Sequence, residues 1–276
     1  MAESVPSPAL LEILGQIASG TLSPDDAAAH VTAAALSTSQ TDVMADESES
    51  PDLAPVDGAL VDLDRASRCG FGEVIFGEGK TTELMRTIVQ AQQDVGQPCL
   101  ITRINPTSAA QLRRAYPDSS YNAAARTLRI GSVADEPESP SPHVAVVTAG
   151  STDAGVAEEA IETLRWMKVA HRRYDDLGVA GPQRLLASVP KLREASAIVV
   201  AAGMEGALPA VVAGHVATPV IAVPTSVGYG VHLSGLTPLM AMLTSCAANV
   251  AVVNIDAGFK GGYMAGLIVS TLRHDK

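Results

Sequence analysis

The side chains best suited to chemistry stand in and beside a long stretch that carries no charge. No Asp, Glu, Lys or Arg occurs between Gly206 and Ile255. Glu205 directly precedes this stretch and Cys246 lies within it. A carboxylate can move a proton and a thiolate can attack an electrophile, so the pair is compatible with acid–base or covalent chemistry. The residue types alone also allow simpler roles, because a lone Cys among apolar residues is usually an inert hydrophobe and Glu205 could equally cap a helix.

A second group of polar residues follows a predicted strand at 143–149. The turn reads Ala-Gly-Ser-Thr-Asp, contains Gly150, Ser151, Thr152 and Asp153, and leads straight into a predicted helix. Its free N–H groups and hydroxyls could hold a phosphate, and Asp153 could hold a ribose hydroxyl. Ser, Thr and Asp are also good N-cap residues, and capping is the simpler interpretation of this turn taken alone.

Further donors and carboxylates follow other predicted strands. Gly203 opens the turn Gly-Met-Glu-Gly, and the turn Pro-Thr-Ser-Val-Gly-Tyr-Gly contains Thr225, Ser226 and Gly228. The second turn suits a loop that covers a ligand, although glycine-rich loops often only connect elements. Asp256 follows the next strand and could either cap a turn or line the same cleft.

The elements that would position these turns form five strand–helix repeats. The apolar runs predict strands at 143–149, 177–180, 197–202, 220–223 and 250–255. The intervening segments predict helices at 153–170, 182–189, 207–216, 236–246 and 263–272. Repeated βα units predict a parallel sheet covered on both faces, which is a three-layer, Rossmann-like α/β domain. Ligands of such sheets bind outside the carboxyl ends of the strands, where most of the turns described above lie.

Composition divides the rest of the chain into further segments. The expected order is N-terminal helices at 1–36, an acidic linker at 37–58, a small α/β domain at 59–133, a proline-rich linker at 134–142 and a catalytic domain at 143–276. Within the small domain, strands are predicted at 73–76, 99–103 and 127–130, with helices at 81–94 and 107–115.

The turn Gly-Glu-Gly-Lys-Thr at residues 77–81 invites a phosphate-loop interpretation. The Walker pattern would need Gly at position 74, which is Val74, so the pattern fails. A tight strand-to-helix turn is the favoured interpretation, although Lys80 could still contact an anion.

Charge and cysteine usage limit the partners and the compartment. The net charge of −11 disfavours nucleic acid, because a binder must neutralise phosphates with Lys and Arg. Cys69, Cys99 and Cys246 are widely spaced and odd in number, so we predict no disulfide framework, no CxxC metal site and a reducing cytoplasm. His215 and His232 lack metal-ligand spacing and are assigned structural roles.

No secretory signal or membrane span is predicted. The N-terminus has no basic region followed by an apolar run. Prolines interrupt the charge-free stretch, and its longest proline-free piece, 239–255, has 17 residues. A spanning helix needs about 20 apolar residues, so core strands and helices are favoured.

These segments together resemble a known family. From 143 to 268 the chain resembles LarB, the enzyme family that begins synthesis of the nickel-pincer nucleotide cofactor. The matching segments are VTAGSTDAGVAEEA (147–160), YDDLGVAGPQRLL (174–186), AAGMEGALPAVVAGHV (201–216), PVIAVPTSVGYG (219–230), TSCAANVAVVNIDAGFKGGYMA (244–265) and, in the smaller unit, LDRASRCGFGEVIFGEGKT (63–81). The catalytic half is similar, more distantly, to the aminoimidazole ribonucleotide (AIR) carboxylase of purine synthesis. One departure is Ser151-Thr152 where the family pattern has Thr-Ser, which keeps both hydroxyls.

The resemblance implies a specific reaction. LarB enzymes carboxylate nicotinic acid adenine dinucleotide with CO2 at the pyridinium C5 and hydrolyse the phosphoanhydride, giving pyridinium-3,5-biscarboxylic acid mononucleotide and AMP. The pyridinium C5 will not attack CO2 by itself. A thiolate added to the ring, most usefully at C4, breaks aromaticity and makes C5 a nucleophilic enamine carbon.

The family's catalytic cysteine and glutamate map onto Cys246 and Glu205. On this resemblance Glu205 is the expected proton carrier, and Asp153 is a second acid–base candidate or a ribose ligand. The expected substrate contacts are Gly150, Ser151, Thr152, Gly203, Thr225, Ser226, Gly228 and Asp256. The charge-free stretch is then expected to form one dry pocket that contains both Glu205 and Cys246. Magnesium held largely by substrate phosphates is expected to assist the hydrolysis, and by analogy a homo-oligomer such as an octamer is expected.

Two other functions stay open at this point. An AIR carboxylase or mutase would carry a catalytic His in a strand-end Ala-His-Arg-Thr motif, but residues 179–184 read Val-Ala-Gly-Pro-Gln-Arg. The missing His and the additional Cys246 argue against this function. A non-catalytic nucleotide-binding module would retain its ligand affinity in Cys246→Ala and would have no turnover to lose.

Overall fold

The computed structural model of this chain describes residues 52–131 and 142–274, together with Gln16 and Thr21. Apart from Gln16 and Thr21, the predicted N-terminal helices lie outside the described residues, as do most of the two predicted linkers. Both described ranges belong to one compact unit, Pro51–Lys276.

The small domain contains a hairpin and a mixed four-stranded sheet. Its elements are β1 (Leu53–Val56), β2 (Ala59–Asp62), α1 (Arg65–Cys69), β3 (Ile75–Phe76), α2 (Thr82–Asp94), β4 (Cys99–Thr102), α3 (Pro106–Ala115), β5 (Ser119–Asn122) and β6 (Thr127–Ile130). Strands β1 and β2 pair antiparallel. The larger sheet has the order β3-β4-β6-β5, in which β3 and β4 are parallel and the other pairs are antiparallel. Strand β1 occupies the end of the segment predicted as a linker.

The Gly-Glu-Gly-Lys-Thr turn connects β3 to α2, as the favoured interpretation predicts. The Thr81 hydroxyl caps α2 by accepting a hydrogen bond from the Leu84 N–H at 3.2 Å. A Cβ at Gly77 would lie 3.0 Å from the Thr102 carbonyl oxygen, so a side chain there would crowd the neighbouring strand. This close approach explains a glycine in the turn without any ligand.

The large domain is a parallel sheet between two helical layers. Its elements are β7 (Val144–Thr148), a 3-10 helix (Ser151–Asp153), α4 (Ala154–Trp166), β8 (His171–Tyr174), α5 (Pro182–Leu192), β9 (Ala197–Ala202), α6 (Leu208–Ala213), β10 (Val220–Pro224), a second 3-10 helix (Gly230–Gly235), α7 (Leu236–Leu243), β11 (Val250–Val252) and α8 (Gly258–His274). All four strand pairings in this sheet are parallel, and the strand order is β11-β10-β9-β7-β8. The predicted three-layer α/β class is confirmed.

Burial on both faces explains the apolar strands of this sheet. Val146 and Val199 pack in the core beneath α4 and α8. Val147 and Val200 point to the opposite face and pack in the core beneath α5, α6 and α7. Successive residues of a strand face opposite sides, so a strand buried on both faces must be apolar at every position.

The second strand of the large domain was predicted in the wrong place. The apolar run at 177–180 is a loop, and the strand is β8, with the sequence His-Arg-Arg-Tyr. Strand β8 lies at the edge of the sheet and pairs only with β7. Its charged side chains can therefore reach solvent, as in the Arg172–Glu194 ion pair at 2.8 Å.

The final helix begins at Gly258, five residues before the predicted start at 263. Its glycines at positions 258, 262 and 266 share one face of the helix. A Cβ at Gly258 would lie 2.2 Å from the Val156 carbonyl oxygen, and one at Gly262 would lie 2.5 Å from the Ala160 carbonyl oxygen. These glycines let α8 approach the backbone of α4, so packing overrides their poor helix propensity.

Two well-buried contacts join the small domain to α4. The Arg129 guanidinium pairs with Glu162 at 2.6 Å, and the Trp166 indole donates to the Pro98 carbonyl oxygen at 3.0 Å. Both donors thus find partners across the domain boundary, as buried polar groups require.

Within the described ranges, we find no helix long and apolar enough to cross a membrane.

The close contact of α8 with α4 predicts a large effect of Gly262→Ala. The added methyl group would meet backbone atoms of Ala160 and should destabilise the fold by about 1–3 kcal/mol, as overpacking typically does. Urea unfolding measures this loss as a lower midpoint at unchanged slope. Gly214→Ala is the matched control, because a Cβ there would have its nearest contact at an ordinary 3.5 Å. Equal midpoints for the two variants would contradict this account of the packing.

Candidate functional site

The candidate site lies where the connections of the large sheet reverse direction. From β7 the chain passes to β8 on one side and then returns to β9 on the other. The loops after β7 and β9 therefore run in opposite directions at the carboxyl edge of the sheet, and such a switch point is where doubly wound sheets form their ligand crevice. Asp153 follows β7, and Gly203 and Glu205 follow β9. All three therefore lie at the carboxyl edge of the sheet, where the sequence predicts them.

Asp153 is the buried residue around which the turns at this edge are arranged. One carboxylate oxygen, Oδ1, accepts a hydrogen bond from the Thr225 hydroxyl at 2.6 Å. The other, Oδ2, accepts from the Gly150 N–H at 2.9 Å. Asp153 is 3% exposed and Thr225 is fully buried. The contact connects the turn after β7 to the loop after β10.

Burial changes the acidity of this group. Removal from water raises the pKa of Asp153 above its ordinary value, while the hydrogen bonds from Thr225, Gly150 and Gly203 oppose the shift. The nearby Asp256 carboxylate adds to the increase. Asp153 is therefore a carboxyl group that holds its proton more tightly than an exposed aspartate does.

Gly203 permits the loops after β9 and β10 to touch. A Cβ at this position would lie 2.1 Å from the Val227 carbonyl oxygen and 2.7 Å from the Thr225 hydroxyl. The same carbonyl oxygen accepts a hydrogen bond from the Met204 N–H at 2.9 Å. Any side chain at position 203 would push Thr225 away from Asp153.

Asp256 joins the loop after β11 to the same cluster. Its Oδ1 accepts a hydrogen bond from the Ser226 N–H at 2.7 Å, and its own N–H donates to the Pro224 carbonyl oxygen at 2.8 Å. Asp256 has a positive φ of 54°, which is uncommon outside glycine. The ends of β7, β9, β10 and β11 are thus connected by direct hydrogen bonds.

The other predicted contacts form an exposed rim above the buried pair. Ser151, Thr152, Ser226, Gly228 and Glu205 are all exposed, and Gly150 is half-buried. Exposed hydroxyls and N–H groups around a buried carboxyl group suit a polar ligand that carries phosphate or ribose groups.

The sequence interpretation missed polar residues at the end of β8. The Asp176 N–H donates to the Thr148 hydroxyl at 3.0 Å, and the Arg184 guanidinium forms an ion pair with the Asp176 carboxylate. The atoms of Arg184 also approach the backbone of Gly181 and Gly178, at the same edge as Gly150. The pair of aspartates at 175–176 was the available signal, but the error in placing β8 hid it.

Comparisons with known proteins agree with this architecture. Residues 53–132 match the family model described as a LarB/PurE-like N-terminal domain, and residues 143–275 match the model described as AIR carboxylase. An uncharacterised protein of Methanocaldococcus jannaschii is 39% identical over 220 residues, which cover 77% of this chain and 84% of that protein. This chain belongs to the LarB family. The matched domains support a carboxylase-type function.

Two solved structures from Treponema denticola, PurE and a single-residue variant of PurE2, are also similar. They share 18% and 17% sequence identity with this chain, each with a TM-score of 0.37. Each alignment covers 49% of this chain and 91% of the other. A similarity at this level carries no argument about function.

The residue that the LarB resemblance makes the nucleophile lies at the opposite edge of the sheet. Cys246 precedes β11 and is exposed. Nearby, the side-chain amide of Asn249 donates hydrogen bonds to backbone carbonyl oxygens that precede β10, including that of Thr218 at 3.1 Å. The length of β10, five residues at about 3.3 Å each, separates this position from Thr225. A single chain therefore does not form the dry pocket predicted to contain Glu205 and Cys246 together.

The other cysteines differ in environment. Burial raises the pKa of the Cys99 thiol to about 12, so this thiol is not a nucleophile near neutral pH. Cys69 is exposed at the end of α1.

No group of three or more His, Cys, Asp or Glu side chains within the described ranges is placed to hold a metal ion.

The raised pKa of Asp153 predicts a pH-dependent cost of folding. The folded protein holds the Asp153 proton more tightly than the unfolded chain does, so protonated Asp153 stabilises the fold at low pH. This stabilisation is lost as the pH rises from 3.8, the ordinary pKa of an aspartate, through the raised pKa of Asp153 in the folded protein. Asp153→Asn lacks this titration, so its stability relative to the wild type should increase with pH. Urea unfolding at a series of pH values from about 4 to about 7 measures the difference. A flat difference, or one that decreases with pH, would contradict the assignment.

Proposed function

We propose that this protein carboxylates nicotinic acid adenine dinucleotide at the pyridinium C5 and hydrolyses its phosphoanhydride. The products would be pyridinium-3,5-biscarboxylic acid mononucleotide and AMP. The observation that carries the proposal is the buried Asp153–Thr225 pair beneath a rim of exposed donors, at the switch point of a LarB-family sheet. Such a crevice is where doubly wound sheets bind nucleotides.

The rim supplies the contacts for the mononucleotide half of the substrate. The turn from Gly150 to Thr152 offers two hydroxyls at the start of a helical segment, where negative charge is favoured. Ser226 adds a third hydroxyl from the loop after β10. Arg184, which pairs with Asp176 in the free protein, is a cation at this edge that would also contact a substrate phosphate.

The chemistry of the ring calls for a thiolate, and the resemblance to the LarB family assigns this role to Cys246. Its thiolate adds to C4 of the pyridinium, which turns C5 into an enamine carbon with an available electron pair. That pair forms the bond to the carbon of CO2. Loss of the C5 proton and departure of the thiolate then restore the aromatic ring and the free cysteine.

The C5 proton needs a base that accepts it, and the carboxylates at this edge are the candidates. Glu205 is exposed beside the crevice and, unlike Asp153, does not carry the Thr225 and Gly150 hydrogen bonds of the buried pair. We therefore assign proton removal to Glu205. Asp153 orders the loops around the ring and is the alternative acid–base group.

The position of Cys246 supports a site that is shared between two copies of the chain. We infer a homo-oligomer in which one subunit supplies the crevice and another supplies Cys246. A run of exposed apolar side chains along the chain from 229 to 243 supports this assembly. It comprises Tyr229, Val231, Leu233, Leu236, Met240 and Leu243, of which Val231 is 84% exposed. Clusters of exposed apolar side chains are typical of protein–protein contacts, and this run ends three residues before Cys246.

Magnesium would assist at the phosphoanhydride, where it neutralises phosphate charge when bound. Both oxygens of Asp153 and one oxygen of Asp256 already accept protein hydrogen bonds. Of these two carboxylates only Oδ2 of Asp256 is left without such a bond to a described residue, which fits a cation that would be held mainly by the substrate, as Mg²⁺ commonly is. The residues of the rim would bind the substrate phosphates.

The direct test is to incubate the purified protein with nicotinic acid adenine dinucleotide, bicarbonate and magnesium, and to follow product masses. The expected result is a dicarboxylated mononucleotide together with AMP. Cys246→Ala should abolish carboxylation, because without the thiolate C5 is not nucleophilic. Cys69→Ala is the matched control, since it removes the other exposed thiol among the described residues and should leave turnover unchanged.

Full activity in Cys246→Ala would overturn the covalent mechanism. Unchanged substrate with the wild type would overturn the reaction itself. Tight nucleotide binding without any product would instead favour a binding module.

A further inference from the structure

We propose that Arg103, a residue of the small domain, positions the site loops of the large domain. It would act on the loops that follow β10 and β11 through the backbone of Asp256 and the carboxylate of Glu159. Its kinetic consequences rest on the function proposed above, whereas its effect on the loops does not.

The contacts of Arg103 cross the domain boundary. Its Nε donates to Glu159 Oε1 at 3.2 Å, and its Nη2 donates to the Asp256 carbonyl oxygen. The Arg103 side chain is 28% exposed and that of Glu159 is 5% exposed. One guanidinium thus spans two partners on different elements of the large domain, as its planar fork of donors allows.

Glu159 extends this contact to the start of α8. Its second oxygen, Oε2, accepts a hydrogen bond from the Phe259 N–H at 3.2 Å. This carboxylate therefore satisfies a free N–H of the first turn of α8, where negative charge is favoured. Arg103 holds the carboxylate from one side while α8 holds it from the other.

Asp256 carries the effect to the site. Arg103 fixes its carbonyl oxygen, and its carboxylate fixes the Ser226 N–H at 2.7 Å. Ser226 adjoins Thr225, whose hydroxyl holds Asp153. A continuous series of contacts therefore leads from the small domain to the buried centre of the crevice.

The backbone around Arg103 is held in an uncommon conformation. Arg103 has a positive φ of 53°, although it is not a glycine. Its neighbours are fixed by the Gly77 N–H, which donates to the Thr102 carbonyl oxygen at 2.7 Å, and by the Ile104 N–H, which donates to the Arg126 carbonyl oxygen at 2.9 Å. Strained residues persist where the surroundings determine them fully, and they cluster at functional sites.

A cavity beside the guanidinium allows chemical rescue to be tested. Arg103 and Glu159 line a space of about 320 Å³ that also borders Lys260. A guanidinium ion added to an Arg103→Ala protein could enter this space and pair with Glu159. A residue with a general packing role would not be rescued in this way.

The experiment compares Arg103→Ala with Arg129→Ala in the full-length protein. Both remove an arginine that pairs with a glutamate of α4 across the domain boundary, but the bond from Arg129 to Glu162 does not lead to a site loop. Hydrogen exchange without substrate should become faster in segments 225–230 and 256–260 of Arg103→Ala and stay at the wild-type rate in Arg129→Ala. In the carboxylation assay, kcat/KM should fall about tenfold in Arg103→Ala alone, and millimolar guanidinium should restore part of it.

Unchanged exchange in both segments of Arg103→Ala would overturn the proposal, whatever the activity. Equal exchange changes in the two variants would also overturn it, because the effect would then be a general loss of domain contact. A wild type without turnover would remove the proposed function while the exchange comparison still decides the role of Arg103. If Arg103→Ala does not fold, Arg103→Lys replaces it, since a single ammonium group cannot span Glu159 and Asp256 as the fork does.

Discussion

The hydrogen bond between Thr225 and Asp153 is the interaction on which the rest of the site depends. It joins two strand ends that are distant in sequence, and it lies in a space that only glycine at position 203 leaves open. Because the pair is buried, a missing partner would leave an unsatisfied polar group, which costs about 1–3 kcal/mol. The exposed donors of the rim are therefore arranged around a fixed centre, and the small domain reaches that centre through Arg103 and Asp256.

A parallel sheet also imposes a constraint on the chemistry. Residues after a strand and residues before it lie at opposite edges, so Glu205 and Cys246 cannot share one crevice within a single chain. Cys246 is exposed, and exposed apolar side chains precede it in the chain. Docking of a second copy at this surface would explain both features. Assembly would then cover the apolar surface and bring Cys246 of one subunit to the crevice of another.

Much of this arrangement could be predicted from the sequence, for physical reasons. The apolar runs of β7, β9 and β10 are required by burial on both faces, and parallel strands bring Asp153, Gly203 and Thr225 to one edge. Strand β8 could not be found by the same rule, because an edge strand tolerates charge. The contacts of Arg103 with Glu159 and Asp256 could not be found either, since they join residues whose proximity only the packed domains create. The sequence already places Cys246 before the strand at 250–255, which puts it at the amino edge of a parallel sheet. The resemblance to LarB indicates the role of this residue but not the edge at which it lies.

The central claim is that the crevice of one subunit works with Cys246 of another, and complementation between subunits tests it most directly. Differently tagged Glu205→Gln and Cys246→Ala chains, each of which should be inactive alone, are co-expressed in equal amounts, and the whole mixture of oligomers is purified. Random pairing in an equal mixture should restore about a quarter of the wild-type carboxylation activity, because about half of the crevices are intact and about half of these meet an intact cysteine. Mixed oligomers as inactive as either parent would contradict the shared site and require both residues to act within one chain.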